Sequence, residues 1–83
     1  MSVFTEILKR YGELSEAADN GTATSTQFIE LQRLDVRVMD ARNAGYINER
    51  QYRALSSAYF DIKENFRAVL GLNRHQLTGS GKA

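Results

Sequence analysis

The sequence predicts an all-α fold: a small three-helix assembly in which helices two and three form an antiparallel hairpin, helix one packs across them, and two copies associate as a dimer. Three observations carry this expectation. Tyr52, Leu55, Tyr59, Ile62, Phe66 and Val69 alternate by three and four residues, the clearest helical period in the chain. The stretch Gly45-Tyr46-Ile47-Asn48-Glu49-Arg50-Gln51-Tyr52 holds the stop signal of one helix and the start signal of the next. The chain has only 83 residues, so a single core is marginal and burial against a second copy or a partner adds useful stability.

The turn is explained by capping chemistry. Gly45 follows the last periodic residue of its helix and can adopt φ > 0 at no Cβ cost. Asn48 can accept a bond from an orphan N–H of the next helix, Gln51 can return one, and Ile47 can pack on Tyr52 as a hydrophobic staple. A connection this short makes the two helices neighbours, either as a hairpin or at the wider angle of a helix-turn-helix.

Helix one is expected over 3–19, with Phe4, Ile7, Leu8, Tyr11 and Leu14 at helical spacing, Ser2 as cap, and Glu6 four residues before Arg10. Gly12 is either a close-packing point or a weak spot worth about 1 kcal/mol relative to alanine. Glu16 and Asp19 carry the wrong sign for the negative end of the helix dipole, so this end is expected to fray into a mobile loop of residues 20–25. Helix two is expected over 25–44, capped by Thr24 with Gln27, or by Ser25 or Thr26. Its main stripe is Leu31, Leu34, Val38 and Ala41, while Ile29, Val36 and Met39 lie on another side. Helix three is expected over 49–70, stopped by Gly71, with Leu72 able to fold back on Phe66 or Arg67. The domain thus spans 1–72, and 73–83 is expected to be a flexible polar tail.

Composition limits the function classes. The formal net charge is +1, which gives no general drive toward nucleic acid or an acidic membrane. The chain has no cysteine, hence no thiol nucleophile or thiolate metal site, consistent with a reducing compartment. No apolar run approaches the roughly 18 residues that span a membrane, and the N-terminal stretch has no basic segment followed by an apolar region, so the expected location is cytoplasmic. Asn20-Gly21-Thr22 matches a glycosylation sequon and reads as a turn.

Catalysis is poorly supplied. The sole histidine, His75, has no carboxylate or nucleophile at a spacing that would position it. The acidic residues lack metal-ligand spacing, and Gly79-Ser80-Gly81-Lys82 lacks the strand, the earlier glycine and the helix of a phosphate-binding loop. No enzyme activity, catalytic residue, metal or cofactor is expected. A helix-turn-helix DNA-binding regulator is the alternative: Ala41 and Gly45 have the motif's spacing, and Arg50, Gln51 and Arg53 would face base edges or phosphates. Against it, Asp40 and Gln51 occupy positions the motif usually makes apolar, and Glu49 would sit near phosphate.

The glycine, aliphatic residue, capping residue and Gln51-Tyr52 of the turn also resemble the SHOCT family of short oligomerisation motifs. The resemblance covers about Leu34 to Ile62 and implies self-association. The family's usual acidic pair before the aromatic is Arg50-Gln51 here.

The remaining signal is apolar and aromatic surface bracketed by arginine. Ile29, Arg33, Val36 and Met39 on helix two, with Arg53, Phe60 and Arg67 on helix three, are the candidate partner-binding residues. Such composition is enriched in protein interfaces, and eight of the eleven basic residues are arginine, which suits bidentate pairing with carboxylates. The bland alternative is that helix one covers the second face of helix two and Phe60 completes the core. Charge is uneven: residues 1–30 are acidic and the remainder is net basic, which suits internal pairing or contact between copies. The expected function is a non-enzymatic helical protein-interaction module, acting as adaptor, assembly factor or inhibitor of another protein, with a homodimer expected and no membrane. A purely structural homo-oligomerisation domain is the third class. Chains of this size and chemistry include accessory proteins of phages and mobile elements.

Overall fold

The computed structural model describes residues 2–71. Three helices account for most of them: α1 Val3–Asp19, α2 Ser25–Ala44 and α3 Glu49–Leu70. The expected tail, with His75 and the Gly79–Lys82 stretch, lies outside the described residues, as does Leu72.

Each helix starts on a side-chain cap. Ser2 Oγ accepts the Thr5 N–H at 3.1 Å. Thr24, not Ser25 or Thr26, caps α2: its hydroxyl accepts the Gln27 N–H at 3.1 Å while the Gln27 side chain accepts the Thr24 N–H at 2.9 Å. Asn48 and Gln51 make the same reciprocal pair at α3, at 2.8 and 3.0 Å. Two otherwise orphaned donors are thus satisfied at the start of both α2 and α3.

The helix ends turn on glycine. At Gly45, φ is +84°, its N–H donates to Arg42 O, and the Tyr46 N–H donates to Ala41 O at 2.9 Å. Gly71 closes α3 in the same left-handed region. The end of α1 corrects the expectation of fraying. Gly21 N–H donates to Ala18 O at 3.1 Å and Thr22 N–H to Ala17 O at 2.8 Å, the two bonds of a Schellman motif, with the Thr22 hydroxyl on the Ala17 carbonyl as well. Glu16 and Asp19 still oppose the dipole, but that term is a few tenths to 1 kcal/mol, whereas the turn satisfies carbonyls that would otherwise be left unpaired.

Packing follows from the stripes. Ile7, Tyr11, Leu14 and Ala18 from α1, Leu31, Leu34, Val38 and Ala41 from α2, and Leu55, Tyr59, Ile62 and Phe66 from α3 form one buried cluster with Ile47 from the turn. Helix α3 packs against both others, and the contact between α1 and α2 is smaller. Phe28 near the start of α2 stacks on Phe66 near the end of α3, with ring centroids 6.1 Å apart. At the other end of α2 the Arg42 guanidinium lies 4.3 Å over the Tyr52 ring and bonds Glu49 at 3.0 Å. Between α1 and α2, Arg10 grips Glu30 through Nε at 2.6 Å and a terminal nitrogen at 2.7 Å, and Arg37 meets Glu6 at 3.0 Å. Of the acidic residues of α1, Glu6 is thus matched by a basic residue of α2, while the Arg10–Glu30 pair runs in the opposite sense.

Two residues of the expected stripes sit at its edge. Leu8 is substantially exposed, one residue and about 100° round the helix from buried Ile7, and Val69, in register with Ile62 and Phe66, is substantially exposed in the last turn of α3. Gly12 is no close-packing point: a Cβ placed there would meet nothing within 4 Å. Gly12→Ala is accordingly expected to raise the unfolding free energy by about 1 kcal/mol, seen as a higher urea midpoint with unchanged slope; a lower midpoint would show that the helix needs glycine there.

Candidate functional site

Burial separates α2 into two sides. Leu31, Leu34, Val38 and Ala41 face inward; Ile29 (50% exposed), Val36 (57%) and Met39 (48%) lie on the opposite side, with Arg33 exposed beside them. Helix α1 does not cover this second side. The reason is geometric: α1 packs chiefly on α3 and meets α2 along a narrower seam, where the Arg10–Glu30 and Arg37–Glu6 pairs lie.

Phe60 likewise does not complete the core. It is 60% exposed, one residue past buried Tyr59, whose ring it meets edge-on at 5.4 Å. Arg53 and Arg67, one heptad to each side, share its face. Arg53 bonds Glu49 at 3.3 Å, and Arg67 is half-buried beside Phe60, Lys63 and Glu64 around a shallow hollow of about 140 Å³. The seven candidate partner-binding residues thus form two faces on different helices, each turned away from the shared core. Each presents apolar surface next to guanidinium groups, suited to an apolar partner surface carrying carboxylates.

The residues of the DNA-binding alternative sit at the start of α3. Gln51 is half-buried with its side-chain oxygen in the capping box, Arg53 is drawn to Glu49, and Arg50 is exposed. Only Arg50 of the three has no such local bond among the described residues.

Two exposed features escaped the sequence reading. Tyr46, 70% exposed, borders a hollow of about 290 Å³ with Val3, Arg37, Asp40, Ala41 and Ala44. Leu8 edges an open groove of about 390 Å³ between α1 and α3, floored by the small residues Gly12, Ser15 and Ala58. Tyr46 could have been suspected, because it follows a helix-ending glycine; the groove depends on which helices meet.

The interior polar chemistry is slight. Burial pushes the Tyr11 and Tyr59 hydroxyls above the ordinary tyrosine value, and the nearby Asp35 carboxylate adds to the rise. Asp35 is itself raised by burial, with Lys63 opposing. The Arg10 bond holds Glu30 below the usual glutamate value. Among the described residues no three acidic or histidine side chains are grouped to hold a metal ion, and no helix is long and apolar enough to cross a membrane.

The chain matches no protein-family model, and comparisons with curated proteins and with solved structures found no match. The likeness of the turn to the SHOCT motif therefore has no family-level match behind it.

One interior group yields a direct test. Among the described residues the Tyr11 hydroxyl is buried without a hydrogen-bond partner. Tyr11→Phe removes that unsatisfied group while keeping the ring, and is expected to raise stability at neutral pH by about 1 kcal/mol. The pH dependence has a definite sign. The folded-state value is raised, so the stabilisation is complete below the unfolded tyrosine value of 10.0 and is lost as pH rises above it. Thermal midpoints measured from pH 8 to 11.5 should fall above about pH 10 and fall less in the variant; a destabilised variant at pH 7 would mean that solvent satisfies the hydroxyl.

Proposed function

We propose that this chain is a non-enzymatic helical protein-interaction module, acting in the cytoplasm as an adaptor, assembly factor or inhibitor of another protein. One observation carries the reading: the sides of α2 and α3 opposite the core both present large exposed apolar residues adjoining arginine. A helix face that only meets water has no need of isoleucine, valine, methionine and phenylalanine at helical spacing.

The arrangement underlying this reading is an antiparallel hairpin of α2 and α3 with α1 across it. Phe28 against Phe66 at one end, and Arg42 against Tyr52 and Glu49 at the other, support that arrangement. It places the two outward faces on adjacent rods pointing in different directions. Protein is favoured over DNA as the ligand because Gln51 and Arg53 have local bonds at the helix start and the Glu49 carboxylate beside Arg53 would repel a phosphate.

The aromatic face supplies the test. Immobilised wild-type chain and Phe60→Ala, compared by quantitative mass spectrometry, are expected to differ in one protein recovered at near-stoichiometric yield by the wild type. That protein, purified, should bind the wild type and lose at least tenfold in affinity for Phe60→Ala and for Arg67→Ala. Identical recoveries from wild type and variants would remove this face from the function. Retention on duplex DNA at low salt, abolished by Arg50→Ala with Arg53→Ala, would replace the reading with the regulator class.

A further inference from the structure

The outward side of α2 contains more than exposed apolar residues. Ile29, Val36 and Asn43 are spaced by sevens, Gln32 and Met39 fall between them at the complementary heptad position, and the flanking positions hold Arg33 and Asp40 on one side and Asp35 and Arg42 on the other. This is the layout of a helix that packs along another helix. No helix of the described residues lies there: Ile29, Val36 and Met39 are each about half exposed or more.

We propose that a second copy of this chain covers this face, with the two α2 helices antiparallel about a two-fold axis passing between Val36 and Met39. This rests on reading the outward side of α2 as an interaction face, and it names the occupant. In this register Val36 of each copy packs against Met39 of the other, and Gln32 meets Asn43 of the second copy at each end, a polar amide layer that fixes alignment.

Charge selects the direction. In the antiparallel pairing Arg33 of each copy faces Asp40 of the other, two exposed pairs of opposite sign; the other flank holds Asp35, half-buried near Lys63, and Arg42, bonded to Glu49, and adds little. In a parallel pairing Arg33 and Asp40 would not meet, and Asp40 would instead approach the half-buried Asp35 of the second copy, so the opposite-sign pairs are lost. Arg33 and Asp40 enter no ion pair among the described residues, which leaves both able to engage a neighbour. Arg42 is already bonded to Glu49, so the Arg33–Asp40 flank is the more informative one. The surface is one side of a single helix about 30 Å long, less than the roughly 800 Å² per partner of a standard interface. The association is therefore concentration-dependent, in about the micromolar range.

Absolute mass by light scattering and sedimentation, over protein concentrations from about 1 to 500 μM spanning that range, reads the pairing. The wild type is expected to pass from monomer to dimer. Arg33→Asp alone sets two aspartates face to face, and Asp40→Arg alone sets two arginines face to face; each should weaken dimerisation at least fivefold at low salt. The double variant Arg33→Asp/Asp40→Arg should restore it, and mixing the two single variants should yield a heterodimer tighter than either homodimer. Both positions are exposed, and unchanged circular dichroism shows that the fold survives. A wild-type chain that stays monomeric to 500 μM overturns the proposal, as do single variants that dimerise like wild type, or single variants that fail to rescue each other. Failure here with Phe60-dependent capture intact leaves the interaction module standing without self-pairing. Dimerisation through α2 with no Phe60-dependent partner does the reverse.

Discussion

Burial of one side of α3 is the constraint on which the rest of the structure depends. Leu55, Tyr59, Ile62 and Phe66 form its inner row, and α1 and α2 each lay four residues against the same interior. At about 25 cal/mol per Å² of apolar surface, a core this small only narrowly exceeds the entropy of ordering the chain. The helix ends therefore matter out of proportion to their size. Reciprocal caps at Thr24 and Asn48 and left-handed glycines at 21, 45 and 71 let each helix begin and end without drawing on the core for its unpaired backbone groups.

Polar contacts have a secondary, orienting part. Arg10 forks onto Glu30 with both bonds under 2.8 Å, a planar match that specifies register between α1 and α2 more than it adds stability, since both side chains remain over a third exposed. The Arg42 guanidinium does comparable work at the turn, lying over Tyr52 while bonded to Glu49. These arginines are committed to the fold, whereas Arg33 has no ion-pair partner among the described residues, and sequence alone does not separate the two kinds.

The helix boundaries were legible because they are local. Asn48 with Gln51, and Gly45 before them, announce their roles through chemistry that operates within four residues. The end of α1 differs from what its charges predict: Glu16 and Asp19 oppose the dipole, but the backbone bonds that Gly21 makes possible hold the turn closed. The outward faces were ambiguous because Ile29, Val36 and Met39 have the same composition whether they meet a neighbouring helix or solvent. Only the placement of α1 decides, and that depends on the whole packing. Gly12 shows the same limit, since a glycine in a helix looks alike whether the space beside it is filled or empty.

A consequence follows from the helix ends. Because caps set the boundaries and one inward row per helix sets the packing, the positions opposite the core have little folding duty. Substitutions at the exposed Val36, Met39 or Phe60 are expected to change the folding free energy little. Such a scaffold can change its two outward faces over evolution while its skeleton stays constant, and in the laboratory the same separation would allow each face to be redesigned independently.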